Sequence, residues 1–216
     1  MSWKNDQVSE KETARILECA RACLSIPGDF VEMGCYKGDT SLLLTDIIFS
    51  GPRPAGPSPR AVGANSRAAA LRNAQKRQYP VSNHRLFIYD SFEGLPEKSG
   101  KDESVIGENF KKGELAVTKR EVKERFLKAN LPVPVIKKAW FSDLTSEDMP
   151  ERIAFAFLDG DFYESIRDSL KLVTPRMSEG GVLIVHDYTN SALPGVKQAV
   201  DEWKSGGKHL FEIVLL

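Results

Sequence analysis

The chain has 216 residues, with 30 Lys and Arg against 30 Asp and Glu, so its formal net charge is zero. That balance excludes a general polyanion binder, nucleic acid included, which needs a basic excess; the lack of a long apolar run excludes a membrane-spanning helix. Three cysteines exclude a disulfide framework, and with a polar, charged stretch from Met1 to Thr13 instead of a secretory signal they lead us to expect a reducing cytoplasm.

Length predicts one domain over 1–216, with insertions. Ser9 to Ser25 is expected to be helical, because Ala14, Ile16, Leu17, Ala20, Cys23 and Leu24 recur at helical spacing and Pro27-Gly28 stops the run. Cys19 and Cys23 read as small core residues on one face. Asp29 to Met33 reads as a strand and Gly34 to Gly38 as a turn, and Asp39 or Thr40 can cap a helix reaching about Phe49. Ser50 to Arg60 holds four prolines and two glycines and reads as a solvated loop. A surface helix is expected over 67–78. Five basic residues and no acid lie between Arg60 and Arg77, as a solvated face or a contact for an anionic substrate.

Arg85 to Asp90 is an apolar strand ending in an acid. The polar stretch from Ser91 to Lys119 has the length of a lid or binding loop. A charged amphipathic helix over 118–130 precedes a strand over 133–139 and then Trp140-Phe141. Arg152 to Leu158 is an apolar strand ending at Asp159. A helix over 164–174 leads to the strand 181–185, which ends at His186-Asp187. Pro194 opens a helix reaching Lys204, and 209–216 is a last strand. Short apolar strands alternating with helices predict an α/β fold: a doubly wound, mostly parallel sheet covered on both faces.

Ligands of such a sheet bind beyond the carboxyl ends of its strands, and polar residues collect there. Gly34 and Gly38 let backbone approach a ligand closely, but the Gly-x-Gly-x-x-Gly fingerprint of dinucleotide folds is missing, which weakens a nicotinamide reading. Asp90 is placed to accept two hydrogen bonds from ribose hydroxyls, or to cap a turn. Trp140 and Phe141 can stack on a base or fill core. Asp159 and Asp187 stand one strand–helix–strand unit apart, so their carboxylates can share one point. There a divalent cation would relieve their repulsion; the other reading is that each caps the following helix. Asp161 lies close enough to take a proton, and His186 is a ligand or a structural donor.

Together these motifs resemble the macrocin O-methyltransferase family of S-adenosylmethionine- and divalent-metal-dependent enzymes, which methylate sugar hydroxyls in antibiotic pathways. The matching stretches are 28–38, 89–96, 138–141, 157–165, 180–188 and 194–201; Asp-Ser-Phe-Glu-Gly-Leu-Pro at 90–96 and Leu-Asp-Gly-Asp-Phe-Tyr-Glu-Ser at 158–165 are the specific ones. The resemblance implies a class I methyltransferase fold with the cofactor over Glu32, Met33, Gly34, Tyr36 and Gly38. It implies the ribose on Asp90, the adenine near Ser91, Phe92, Trp140 and Phe141, and Asp159 beside the cofactor. It implies Asp159 and Asp187 as metal ligands and Asp161 as general base. Magnesium is the family's expectation, but His186 stands where the family often has an acid, and an imidazole suits manganese or another softer ion.

The expected partner is thus a small-molecule hydroxyl acceptor, with no nucleic acid and no membrane, and with a homo-oligomer open. Alternatives are a catechol-type or N-methyltransferase and a non-catalytic S-adenosylmethionine-binding module. Three departures from the family's pattern bear on the acceptor. Residues 50–84, the Pro- and Gly-rich loop with its surface helix, form an insertion beyond the family's usual connection. Little precedes the first helix to close a lid. Such folds also usually add a last antiparallel strand, so a partner or further chain is expected to complete the edge at 209–216.

Overall fold

In a computed structural model, residues 7–50, 83–105, 110–206 and 209–216 are described below. The Pro-rich loop and the basic surface helix expected between 50 and 84 lie almost wholly outside them. Six strands form one parallel sheet in the order β3-β2-β1-β4-β5-β6. They are β1 (Asp29–Met33), β2 (Leu86–Asp90), β3 (Val135–Lys138), β4 (Ile153–Leu158), β5 (Met177–Val185) and β6 (Glu212–Leu215). The helices are α1 (Glu10–Ala22), α2 (Asp39–Ser50), α3 (Lys119–Lys128), α4 (Tyr163–Val173) and α5 (Pro194–Lys204).

Alternation along the strands sorts side chains to the two faces. Phe30, Ile88, Phe155, Phe157 and Ile184 pack with Ile16, Leu44, Val122 and Phe126, which puts α1, α2 and α3 on one side. Val31, Ala156, Leu158 and Val185 pack with Ile166, Leu170, Val196 and Val200, which puts α4 and α5 on the other. β4 is covered on both sides, and all six of its residues are buried. That is why its sequence is an unbroken apolar run.

Local chemistry sets the helix starts. Ser9 caps α1 and Thr118 caps α3, each in a reciprocal pair with a glutamate three residues on. β3 is shorter than expected, because Pro132 and Pro134 cannot donate to a ladder. β5 starts earlier than expected: its first residues join through a register shift opposite Ile153 and Phe155, a bulge that hydrophobic patterning does not show. β6, the last strand expected over 209–216, pairs in parallel with β5, and among the described residues no antiparallel strand lies beyond it. No described helix is long and apolar enough to cross a membrane.

The chain winds outward from β1 to β3, then returns to place β4 on the other side of β1. The crevice above β1 and β4 is therefore the switch point where ligands of doubly wound sheets bind.

Candidate active site

The end of β1 lies directly against the end of β4. Asp159 N–H donates to Met33 O at 2.9 Å, and Gly34 N–H donates to Tyr89 O at 2.9 Å. Gly34 has φ +90°, and a Cβ built on it would stand 2.1 Å from Asp159 O. Only glycine permits this approach. In the turn that follows, Cys35 N–H and Tyr36 N–H donate to Asp90 Oδ2 at 2.8 and 3.3 Å, and Phe92 N–H donates to Asp90 Oδ1 at 2.7 Å. Gly38 N–H closes the turn on Cys35 O. Arg125 of α3 donates to Lys37 O at 2.6 Å and pairs with Asp39, which pins the start of α2.

Glu32 is buried, 1% exposed, on the floor of the cavity. Its Oε2 accepts from Ser41 Oγ at 2.5 Å, while its Oε1 is buried without a partner. Burial pushes this carboxyl up to about 8, with Asp159, Asp90 and Asp39 adding to the effect and Ser41 opposing it.

At the ends of β4 and β5 three ligand-type residues converge. Asp159, His186 and Asp187 offer ligand atoms all within 4.8 Å of one another, and no other group of this kind occurs among the described residues. His186 Nδ1 lies 2.9 Å from Asp159 Oδ1 and 3.0 Å from Asp187 Oδ2. Burial opposes charge on this imidazole, but the two carboxylates outweigh it and push the His186 pKa up to about 11. Asp187 is held below its ordinary range: burial acts against this, but hydrogen bonds from His186 and Asn190 prevail. Asp161 lines the same cavity, and burial, reinforced by Asp159 and Asp187, raises its carboxyl well above the usual range.

One cavity is lined by Glu32, Gly34, Tyr36, Asp90, Ser91, Trp140 and Phe141, and also by Asp159, Asp161, His186 and Asp187. Three expected cofactor residues do not line it. Met33 is fully buried and points to the α4–α5 side with Val31 and Leu158. Phe92 is turned into the opposite core, beside Val122 and Phe126. Gly38 faces Val122, where an added Cβ would stand 3.2 Å from its Cγ1. Asp90 also differs from expectation. Backbone amides occupy three of about four lone-pair directions on its carboxylate, which leaves one for a ribose hydroxyl instead of two.

Several lining residues escaped sequence reasoning. Leu95, Phe110 and Leu115 come from the 91–119 stretch, whose length marked it as a lid but whose composition singled out no position. Gln7 and Val8 wall the cavity ahead of α1, where little was expected to close it. Asn190 donates its Nδ2 to Asp187 Oδ1 at 2.8 Å, and its own Oδ1 accepts from Ala192 N–H at 3.0 Å, so the amide that aims the carboxylate is itself held in place. Its place three residues after Asp187 was the available signal.

The model of the macrocin-O-methyltransferase (TylF) family matches residues 66–211. An 8-demethyl-8-(2,3-dimethoxy-alpha-L-rhamnosyl)-tetracenomycin-C 4'-O-methyltransferase of Streptomyces olivaceus is 28% identical over 94% of this chain and 69% of its own length. A demethyldecarbamoylnovobiocin O-methyltransferase of Streptomyces niveus is 27% identical over 90% of this chain and 66% of its own. The chain thus spans about two thirds of the length of these relatives. The solved structure of the O-methyltransferase NovP superposes with TM-score 0.65 at 27% identity, covering 90% of this chain and 71% of that one. The calicheamicin methyltransferase CalS11, 18% identical with TM-score 0.60 over 90% of this chain and 72% of its own, shares the fold.

Proposed function

The chain belongs to the macrocin O-methyltransferase family, and from that premise we propose that it transfers a methyl group from S-adenosylmethionine to a hydroxyl of a sugar, or of a sugar carried by a natural product. The observation that carries this reading is the shared cavity. Acids at the ends of β4 and β5 face the same space as Glu32, Asp90 and the rings of Trp140 and Phe141. The rhamnosyl substrate named for the Streptomyces olivaceus relative favours a sugar hydroxyl over a catechol or an amine. Free thiols at Cys19, Cys23 and Cys35 are in keeping with action in the cytoplasm.

The cofactor, when bound, supplies an electrophilic methyl group. The residues fit it: the buried Glu32 Oε1 is without a partner and offers a polar atom to the ligand, Asp90 keeps one direction for a ribose hydroxyl, and Trp140 and Phe141 offer rings to a purine. Leu95, Phe110 and Leu115 form an apolar wall that excludes water from the reacting oxygen.

A divalent ion is the second group we propose, and the donor set fits it. Asp159, His186 and Asp187 bring two carboxylates and an imidazole within 4.8 Å of one another, and these would hold it. Such an ion, when bound, acidifies a coordinated hydroxyl and orients it. Two carboxylates with one imidazole suit manganese or a similar ion at least as well as magnesium.

Asp161 is the residue we assign to proton removal. Burial beside Asp159 and Asp187 raises the pKa of its carboxyl, and the positive charge of a bound cofactor and ion would lower it again, leaving a carboxylate to accept the proton. Asp161→Asn should keep S-adenosylmethionine affinity within about twofold and lower kcat by about 10²- to 10⁴-fold toward a rhamnosylated acceptor. Methyl-group mass shift measures turnover and calorimetry measures binding. Full activity of Asp161→Asn would remove the base assignment. Binding without turnover on any hydroxyl acceptor would favour a non-catalytic module.

A further inference from the structure

Glu12 lies across the imidazole of His186 from the two aspartates. It is the third residue of α1, and the cap of that helix grips one of its oxygens: Ser9 N–H and Ser9 Oγ donate to Oε2 at 3.0 and 2.5 Å. The other oxygen, Oε1, faces His186 Nε2 at 3.9 Å. The ring is 5% exposed, and Phe157 lies against it with ring centroids 5.9 Å apart. On its opposite edge, Nδ1 faces Asp159 and Asp187. Three carboxylates from α1, β4 and the turn after β5 thus surround one buried imidazole, with the cap placing Glu12 and Asn190 placing Asp187.

An imidazole binds a cation through a bare nitrogen, and its other nitrogen then carries the proton and needs an acceptor, which fixes both tautomer and ring direction. We propose that Glu12 is that acceptor: it holds the Nε2–H of His186 and so keeps Nδ1 aimed at the point shared by Asp159 and Asp187. Glu12 is a positioning residue, acting through His186. The inference rests on the ion reading proposed above. It also requires the present separation, in ion-pair range but too long for a hydrogen bond, to close by about 1 Å when an ion engages Nδ1. It makes the first turn of α1 part of the ion site, linked through Ser9 and Glu12 to residues more than half the chain away in sequence.

The test is calorimetric titration of Mn²⁺ and Mg²⁺ into the full chain without cofactor or acceptor. Glu12→Ala should weaken Mn²⁺ binding by about 10- to 100-fold, and Glu12→Gln, which keeps an acceptor oxygen, by less. Ala14→Gly, which weakens α1 without touching Glu12 or His186, should stay within about twofold of wild type. Unchanged Mn²⁺ affinity in Glu12→Ala overturns the proposal. So does an equal loss in Ala14→Gly, which would trace the effect to the helix. With Mg²⁺ bound, the His186 ring-nitrogen NMR signals, assigned with His186→Gln, should show an Nε2 proton protected from exchange in wild type and Ala14→Gly but not in Glu12→Ala; equal protection in all three overturns the claim. If the wild-type chain binds neither ion, the ion reading falls and the positioning claim falls with it.

Discussion

Four side-chain-bearing residues at the rim have left-handed backbones: Tyr36 at φ +45°, Phe92 at +55°, Asp161 at +61° and Asp187 at +59°. Each lies within three residues of the carboxyl end of β1, β2, β4 or β5. Such conformations cost about 1–3 kcal/mol each and persist where surrounding structure enforces them, most often at functional sites. Gly34 shows the steric side of the same crowding. Gly34→Ala should destabilise the protein by about 3 kcal/mol, because its Cβ would overlap Asp159 O at a positive φ; denaturant melts check this, and a loss under about 1 kcal/mol would contradict it. Glu32 gives a pH signature. From about 4.5 to about 8 the folded carboxyl holds a proton that the unfolded chain has released, so stability falls as pH rises through that window. His186 adds a decline of the same sign above 6.5, continuing toward 11. Glu32→Gln, neutral and of like shape, should flatten the wild-type fall in Tm between pH 5 and 8 and leave the His186 part in place. Parallel Tm–pH curves for the two proteins would show that Glu32 is ionised in the fold.

Among the elements, the 91–118 connection has a specific anchor. Asp102 is 1% exposed; its Oδ1 accepts from Tyr163 N–H at 2.7 Å, at the start of α4, where the cap residue Phe162 offers no side-chain acceptor. Its Oδ2 accepts from Ser99 N–H and Ser99 Oγ. Lys101 adds an ion pair to Glu202 of α5 and sits 3.6 Å over the Tyr163 ring. Removing the acid strands a buried amide, so Asp102→Ala should cost about 1–3 kcal/mol and speed hydrogen exchange at Tyr163. Unchanged exchange there would mean that the loop is held by other contacts. The elements also show what was readable. The stop at Pro27-Gly28, the whole of β1 and the whole of α5 follow from local residues alone. The Asp102 clamp does not, because its partner amide is 61 residues away and belongs to the backbone.

For the whole molecule, the binding of one cofactor at the switch point should stabilise all of it. S-adenosylmethionine at 100 times its Kd should add about 2.7 kcal/mol to the unfolding free energy, read as a rise in Tm that NAD at the same concentration does not give. An equal rise with NAD would return the fold to the dinucleotide binders. The sequence by itself determined the fold class, the order of elements and the acids at the strand ends, because burial on both faces writes itself as short apolar runs and a class I domain repeats its rim motifs in fixed order. Only the tertiary structure decided which of those residues meet. Met33, Gly38 and Phe92 carry the motif yet face away from the cavity, and Asp90 divides its carboxylate between backbone and any ribose. Glu12, beside the His186 ring, and Asn190, beside Asp187, were marked by no motif. The reason is geometric: side-chain direction at a strand end depends on the turn's backbone angles and on packing across the sheet, and both are set by residues far away in the chain.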